Sequence, residues 1–168
     1  MPGKMLGAIM STLHSSLFGY EKALIELIGP RGYRTHIFPQ IVGTLRDMQK
    51  TSPLIADLFE TKEINVALGK WMHILEVTKI VKNGNIAIEA DGSYKIDIPH
   101  CMMCDPIHKL IGEQKGICSM ALILIAAGSI ADPTKEPTIE YSQFQPTGTT
   151  TIVKFAQEQK RMEDKPQL

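Results

Sequence analysis

The sequence predicts an α+β domain with helices packed on one antiparallel sheet. Apolar residues at helical spacing fill the N-terminal part of the chain, and short β-branched runs separated by turn dipeptides follow it. An almost uniformly apolar segment, 117–131, then precedes a last pair of β-branched runs. These three observations predict N-terminal helices, an antiparallel meander, an apolar helix and a C-terminal hairpin, in that order.

The N-terminal segment predicts several helices. Apolar residues over 6–28 recur at the three- and four-residue spacing of one helical face, and Gly29-Pro30 is expected to end that helix. A second helix is expected to begin near Phe38 and run to Met48, because Pro39 suits only a first helical turn. Shorter helices are expected over 52–59 and 61–72.

The period of the apolar residues changes at Ile74. The β-branched runs 74–82 and 86–90 flank Asn83-Gly84-Asn85, which is a strong hairpin signal. Asp91-Gly92 permits a second tight turn into the run 94–98. The sequence therefore predicts a three-stranded antiparallel meander.

The C-terminal half predicts a buried helix followed by a hairpin. Asp105-Pro106 is a good helix start, but Gly112 and Gly116 can break that helix before the apolar helix over 116–130. The apolar run is shorter than the ~20 residues that a membrane-spanning helix needs. Strands are expected over 138–144 and 149–155, joined at 146–148. The tail 156–168 lacks apolar periodicity, so residues 1–155 are expected to form a single domain.

Composition limits the classes of partner and compartment. In 168 residues, Lys plus Arg number 18 and Asp plus Glu number 18, so no global field attracts nucleic acid or an acidic membrane surface. The three cysteines are an odd number confined to one region, unlike a secreted disulfide framework. The N-terminus lacks the sustained apolar core of a signal peptide. A reducing, cytoplasmic location is therefore expected.

A cluster of thiol and imidazole side chains lies around the start of the C-terminal half. Cys101 and Cys104 have a spacing that lets two thiolates bind one Zn²⁺ ion, and Cys118 with His108 or His100 would complete a tetrahedral set. Residues 108 and 118 could both reach one ion only if the helix breaks near Gly112 to Gly116. The alternatives are a redox-sensing thiol pair and purely structural cysteines.

Large apolar side chains are candidates for the lining of a ligand cavity, with a core position as the alternative for each. The candidates are Trp71, Met103, Met120, Leu122 and Ile123. Arg31 and Arg34 flank Gly32-Tyr33 and could receive a carboxylate or phosphate of an amphipathic ligand, with surface solvation as the alternative. The surplus of apolar helix faces favours a homodimer.

The stretch 101–155 resembles the C-terminal half of the 4-vinyl reductase-type domain family. The matching features are Cys-x-x-Cys before a short helix, a glycine-flanked break, Ile117-Cys118 opening an apolar helix, and Gly148 in the final turn. The order of helices and then a meander is shared with transport-particle (TRAPP) subunits. The resemblance implies an α+β fold, dimerisation through helices and a pocket for hydrocarbon-bearing molecules. The family often carries cysteines where this chain has Phe144 and Ile152.

These patterns lead to one main hypothesis and two alternatives. The main one is a domain that binds or senses a small hydrophobic ligand in a pocket between the apolar helix and the sheet, with zinc nearby. The first alternative is a structural or tethering dimer subunit. The second is an accessory protein of a reductase, although no Gly-x-Gly-x-x-Gly motif follows a strand and no nucleotide cofactor is expected. No catalytic residue is assigned, because no nucleophile has an identifiable base and orienting acid.

Overall fold

The computed structural model of the protein describes residues 2–53, 56–57, 60–103, 108 and 116–157. The predicted helix start at Asp105, the break between Gly112 and Gly116 and the tail beyond 157 lie outside these residues. The predicted short helix over 52–59 lies partly outside them. Within them the chain is α+β, as the sequence predicts.

The first two helices are joined by a π-helical turn. Helix α1 spans Pro2–Gly32, the π-helical turn spans Tyr33–Ile37, and helix α2 spans Phe38–Thr51. Gly29 interrupts the first helix where its end is predicted, with the non-helical angles φ 70° and ψ 167°, and the chain is helical again directly after this kink. Helix α2 begins at Phe38, as predicted from Pro39 in its first turn.

The next helix is longer than its apolar spacing suggested. Helix α3 spans Ile64–Val77, so the strand predicted over 74–82 is wrong for most of its length. Leu68, Met72 and Leu75 are buried at a spacing of four and three residues, which continues one helical face into the β-branched run. Packing of that face therefore outweighs the β-propensity of the run.

Two separate antiparallel sheets follow α3. A short ribbon pairs β1, Val81–Lys82, with β4, His100–Cys101. A four-stranded sheet has the order β2-β3-β6-β5. Its strands are β2 Asn85–Ile88, β3 Tyr94–Ile98, β5 Lys135–Phe144 and β6 Thr149–Gln157. The hairpin at Asp91-Gly92 is confirmed, whereas the predicted hairpin at Asn83-Gly84-Asn85 is wrong because β1 pairs with β4.

The apolar helix is the centre of the core. Helix α4 spans Ser119–Ala131, and Leu124 and Ile125 on it have no exposed surface. It packs against α3, α2 and the sheet. A Cβ atom on Gly128 would lie 2.7 Å from Phe155 Cζ, so a larger residue there would require the Phe155 ring to shift. None of the helices in the described ranges is long and apolar enough to cross a membrane.

Candidate functional site

A pocket of about 460 Å³ opens where the end of α1, the π-helical turn, the start of α4 and strand β5 meet. This volume falls within the range of roughly 300–1,000 Å³ that is usual for small-molecule sites. The wall is formed by Ile25, Arg31, Tyr33, Arg34, Phe38, Gly116, Ile117, Leu122, Ile125, Pro137, Ile139, Glu140, Tyr141 and Ser142. The pocket therefore lies between the apolar helix and β5, the edge strand of the four-stranded sheet.

The kink in α1 positions one side of the pocket. After Gly29 the chain changes direction and enters the π-helical turn, where Tyr33 is buried. Such turns are uncommon and occur often at functional sites. The change of direction brings Arg31 and Arg34 to the pocket mouth and Phe38 to its inner wall. A straight continuation of α1 would not place these three side chains around one space.

A β-bulge shapes the opposite side. Ile139 pairs with Val153 and Tyr141 pairs with Ile152, so Glu140 is an extra residue without a partner across the ladder. Side chains of a regular strand alternate between its two faces, and a bulge bends the strand locally. Residues 139–142 consequently all contribute to the pocket wall.

The inner wall of the pocket is apolar. Ile25 from α1, Phe38 from α2, and Leu122 and Ile125 from α4 contribute aliphatic or aromatic groups, and Ile117 lies just before α4. Among the wall residues that the structure describes, three are charged: Arg31, Arg34 and Glu140. The pocket thus offers a large apolar surface and a small charged rim, which is the usual arrangement of a ligand site.

A buried carboxyl group lies beside the pocket. Glu21 is only 8% exposed, and its Oε1 atom accepts no hydrogen bond from a described residue. Burial, with the nearby Cys118 thiol as a second cause, raises the pKa of Glu21 to about 8. Burial and the neighbouring Glu21 raise the pKa of the Tyr33 hydroxyl as well. At neutral pH the Glu21 carboxyl is therefore mainly protonated.

Two buried histidines, His14 and His108, lie near each other. His108 Nδ1 lies 2.8 Å from the carbonyl oxygen of Gln145, so Nδ1 carries the proton and the lone pair of a neutral ring lies on Nε2. The His108 ring packs edge-on against Phe144, with ring centroids 4.8 Å apart. Burial, and to a smaller extent His108, lowers the pKa of His14.

The structure places the predicted metal ligands in different surroundings. Cys101 and His100 border a second cavity of about 270 Å³, where Cys101 is buried and His100 is exposed. Cys118 is buried just before α4 and next to Glu21, and no disulfide joins it to Cys101. Cys104 lies outside the described residues. Among the described residues, no group of three or more His, Cys, Asp or Glu side chains could hold a metal ion.

Of the five predicted ligand-binding residues, Leu122 lines the pocket. Met103 and Met120 are buried in the core, and Trp71 and Ile123 are partly buried against it. Sequence reasoning missed Tyr33, Phe38 and the residues of β5, although Arg31 and Arg34 had a sequence signal. In the sequence, the missed residues look like ordinary core or strand positions. In the structure, the kink and the bulge bring them together around the pocket.

Comparison of the chain with protein-family models, curated proteins and solved structures gives no match in any of the three. The resemblance to the 4-vinyl reductase-type domain therefore stays a prediction.

Proposed function

We propose that this protein binds or senses a small hydrophobic molecule in the pocket between α4 and β5. The observation that carries the proposal is an apolar pocket of about 460 Å³ beside the apolar helix. Ligand binding there would bury hydrocarbon against Leu122, Ile125 and Ile139, at roughly 25 cal/mol per Å² of apolar area. The resemblance to hydrocarbon-binding domains supports the same function, and a cysteine pattern unlike a secreted disulfide framework supports a cytoplasmic setting.

A neutral fluorescent probe tests this proposal. N-phenyl-1-naphthylamine should gain fluorescence on binding to the pure protein and be displaced by decanol. Ile139→Trp should fill the pocket and weaken probe binding at least about tenfold, which corresponds to ~1.4 kcal/mol. Ile88→Trp, an exposed position on the same sheet, is the matched control. Equal probe binding by both variants, with unchanged circular dichroism, would reject the pocket as the site.

A zinc ion held by cysteines stays part of the proposal. The tautomer of His108 supports it, because metal-binding histidines usually donate their other N–H to a carbonyl or carboxylate. Against it, the described residues bring no three ligands together. Elemental analysis of protein purified without chelator tests the idea, with Cys101→Ser and Cys118→Ser as variants. About one zinc per chain that is lost in both variants would support it, and metal-free reduced protein would reject it.

A structural or tethering dimer is the second candidate function, and the surface of α1 favours it. Leu13 and Leu17 are each 54% exposed and Leu27 is 81% exposed, whereas Ser11, His14 and Glu21 on the other side of α1 are buried. A helix of a lone domain is expected to show the opposite pattern. A second copy of the chain, packed on this apolar stripe, would bury it. Light scattering of the pure protein tests this candidate.

A further inference from the structure

The charged rim of the pocket is asymmetric. Arg31 and Arg34 both contribute to the wall on the α1 side, and among the described wall residues only Glu140, on the β5 side, has the opposite charge. The two arginines are three residues apart, so they lie on neighbouring positions of one helical surface. Among the described wall residues, the positive charges therefore lie on the α1 side of the mouth.

Both arginines are available to a ligand. Each is exposed, and neither forms an ion pair with a described residue. Guanidinium groups bind carboxylates and phosphates through two parallel N–H donors, which gives both strength and orientation. The deeper wall, by contrast, offers Ile25, Phe38 and Leu122 to an apolar group.

We infer that the ligand is an amphiphile with an oxyanion head, held with its head at Arg31 and Arg34 and its apolar body in the pocket. The inference rests on the proposed ligand-binding function and adds the chemical class of the ligand. Glu140 repels the head from the β5 side. The attraction by the two arginines and the repulsion by Glu140 together fix the orientation of the ligand. Exposed ion pairs contribute little each, and burial of the apolar body supplies most of the affinity.

A series of ligands with the same decyl chain and different heads tests the inference. Decanoate, decyl phosphate, decanol and decyltrimethylammonium would each displace N-phenyl-1-naphthylamine, below the concentration at which they aggregate. The anions are expected to bind roughly 5- to 10-fold more tightly than decanol, as two partly exposed ion pairs allow. The cation is expected to bind more weakly than decanol. Higher salt should reduce these differences in affinity, because salt screens the interactions between exposed charges.

The double substitution Arg31→Gln and Arg34→Gln should bring the anions to the affinity of decanol and leave decanol unchanged. Arg46→Gln, on an exposed position of α2 outside the pocket wall, is the control and should keep the preference. A preference for decanoate or for decyl phosphate would identify the natural head, and either result supports the inference.

Three results would overturn the inference. Equal binding of the anions and decanol would reject the preference for an anionic head group but leave the pocket as a site for neutral ligands. If the cation binds more tightly than decanol, Glu140 and not the arginines determines which head group the pocket mouth prefers. Displacement of the probe by none of the four compounds would reject the inference together with the proposed function.

Discussion

Glu21 is the residue whose environment differs most from what its side chain prefers. A carboxyl group in water ionises near pH 4.5, but here it sits in the core layer next to Tyr33 and Cys118. An ionised carboxylate would need hydrogen bonds that the described residues do not supply at Oε1. The folded state consequently favours the neutral acid. Folding and proton binding at Glu21 are thus linked.

Stability should therefore fall as pH rises from about 5 to about 8. The folded protein holds the Glu21 proton through this window while the unfolded chain releases it near pH 4.5. One such proton gives a slope of up to ~1.4 kcal/mol per pH unit in the free energy of unfolding. The slope should vanish above pH 8, where both states are ionised. Urea unfolding at several pH values measures it.

Glu21→Gln should remove this slope, because an amide does not titrate. Glu26→Gln, an exposed position on the same helix, should keep it. His14 acts in the opposite direction near pH 6.5, since burial lowers its pKa, so the comparison is between each variant and the parent protein. If the free energy of unfolding changes with pH in the same way for Glu21→Gln and the parent protein, the pH dependence does not come from Glu21.

Residue by residue, the sequence identified one half of the pocket rim but not its inner wall. Arg31 and Arg34 stand out because a guanidinium pair next to a Gly-Tyr step suggests oxyanion binding. Tyr33 and Ile139 carry no such signal, since an aromatic or aliphatic side chain at either position is typical of an ordinary core residue. Their shared role arises from a contact between segments about a hundred positions apart. Only the tertiary arrangement creates it.

Among the elements, α1 determines both the pocket and the exposed apolar stripe. Its kink at Gly29 requires φ 70° and ψ 167°, a backbone conformation that residues with a Cβ atom rarely adopt. The sequence predicts a helix end at this position, because Gly-Pro usually is one, and the non-helical φ and ψ of Gly29 agree with that prediction. The sequence does not predict that the chain becomes helical again directly afterwards, from Arg31 onward. This early second helical segment determines which side chains reach α4.

Gly29→Ala should therefore affect stability and ligand binding together. The strained backbone should cost about 1–3 kcal/mol of the free energy of unfolding. It should also weaken binding of N-phenyl-1-naphthylamine, because Arg31, Tyr33 and Arg34 would move relative to α4. Gly43→Ala in α2, where a Cβ atom meets nothing within 4 Å, should instead stabilise by up to about 1 kcal/mol. Denaturant melts and probe titrations measure both effects, and a neutral Gly29→Ala would show that the kink is dispensable.

For the whole molecule, the exposed stripe of α1 predicts self-association. Residues 2–28 at ~1.5 Å rise give a helix of roughly 40 Å, long enough for a substantial paired interface. The melting temperature should then rise with protein concentration, because a partner that binds only the folded state stabilises it. Leu13→Lys with Leu17→Lys should abolish that dependence and give a monomer by light scattering.

Val77→Lys with Ile88→Lys is the matched control, since both residues are also exposed and apolar but lie on α3 and β2. This control should keep the concentration dependence. A parent protein that is monomeric at all concentrations would reject the dimer and leave the stripe to another kind of partner.

The fold class was predictable because it follows from the order of periodicities along the chain. Helix α4 and the final hairpin were predicted nearly at their observed positions, since a long apolar run and a Pro-Thr-Gly turn allow few other structures. The pairing of β1 with β4 was not predictable, because Asn83-Gly84-Asn85 is a hairpin signal of the kind that usually joins neighbouring strands. This pairing depends on where α3 ends, because α3 includes residues up to Val77 and leaves only Val81–Lys82 for strand β1.

The bulge at Glu140 also bears on how the proposed dimer would form. Strand β5 is an edge strand of ten residues, and an edge of that length normally invites another strand to add to it. The extra residue bends the ladder, and Pro137 removes one of its donors. The opposite edge, β2, has only four residues. Both features disfavour the addition of a further strand to the sheet, so the proposed dimer would form through the exposed stripe of α1.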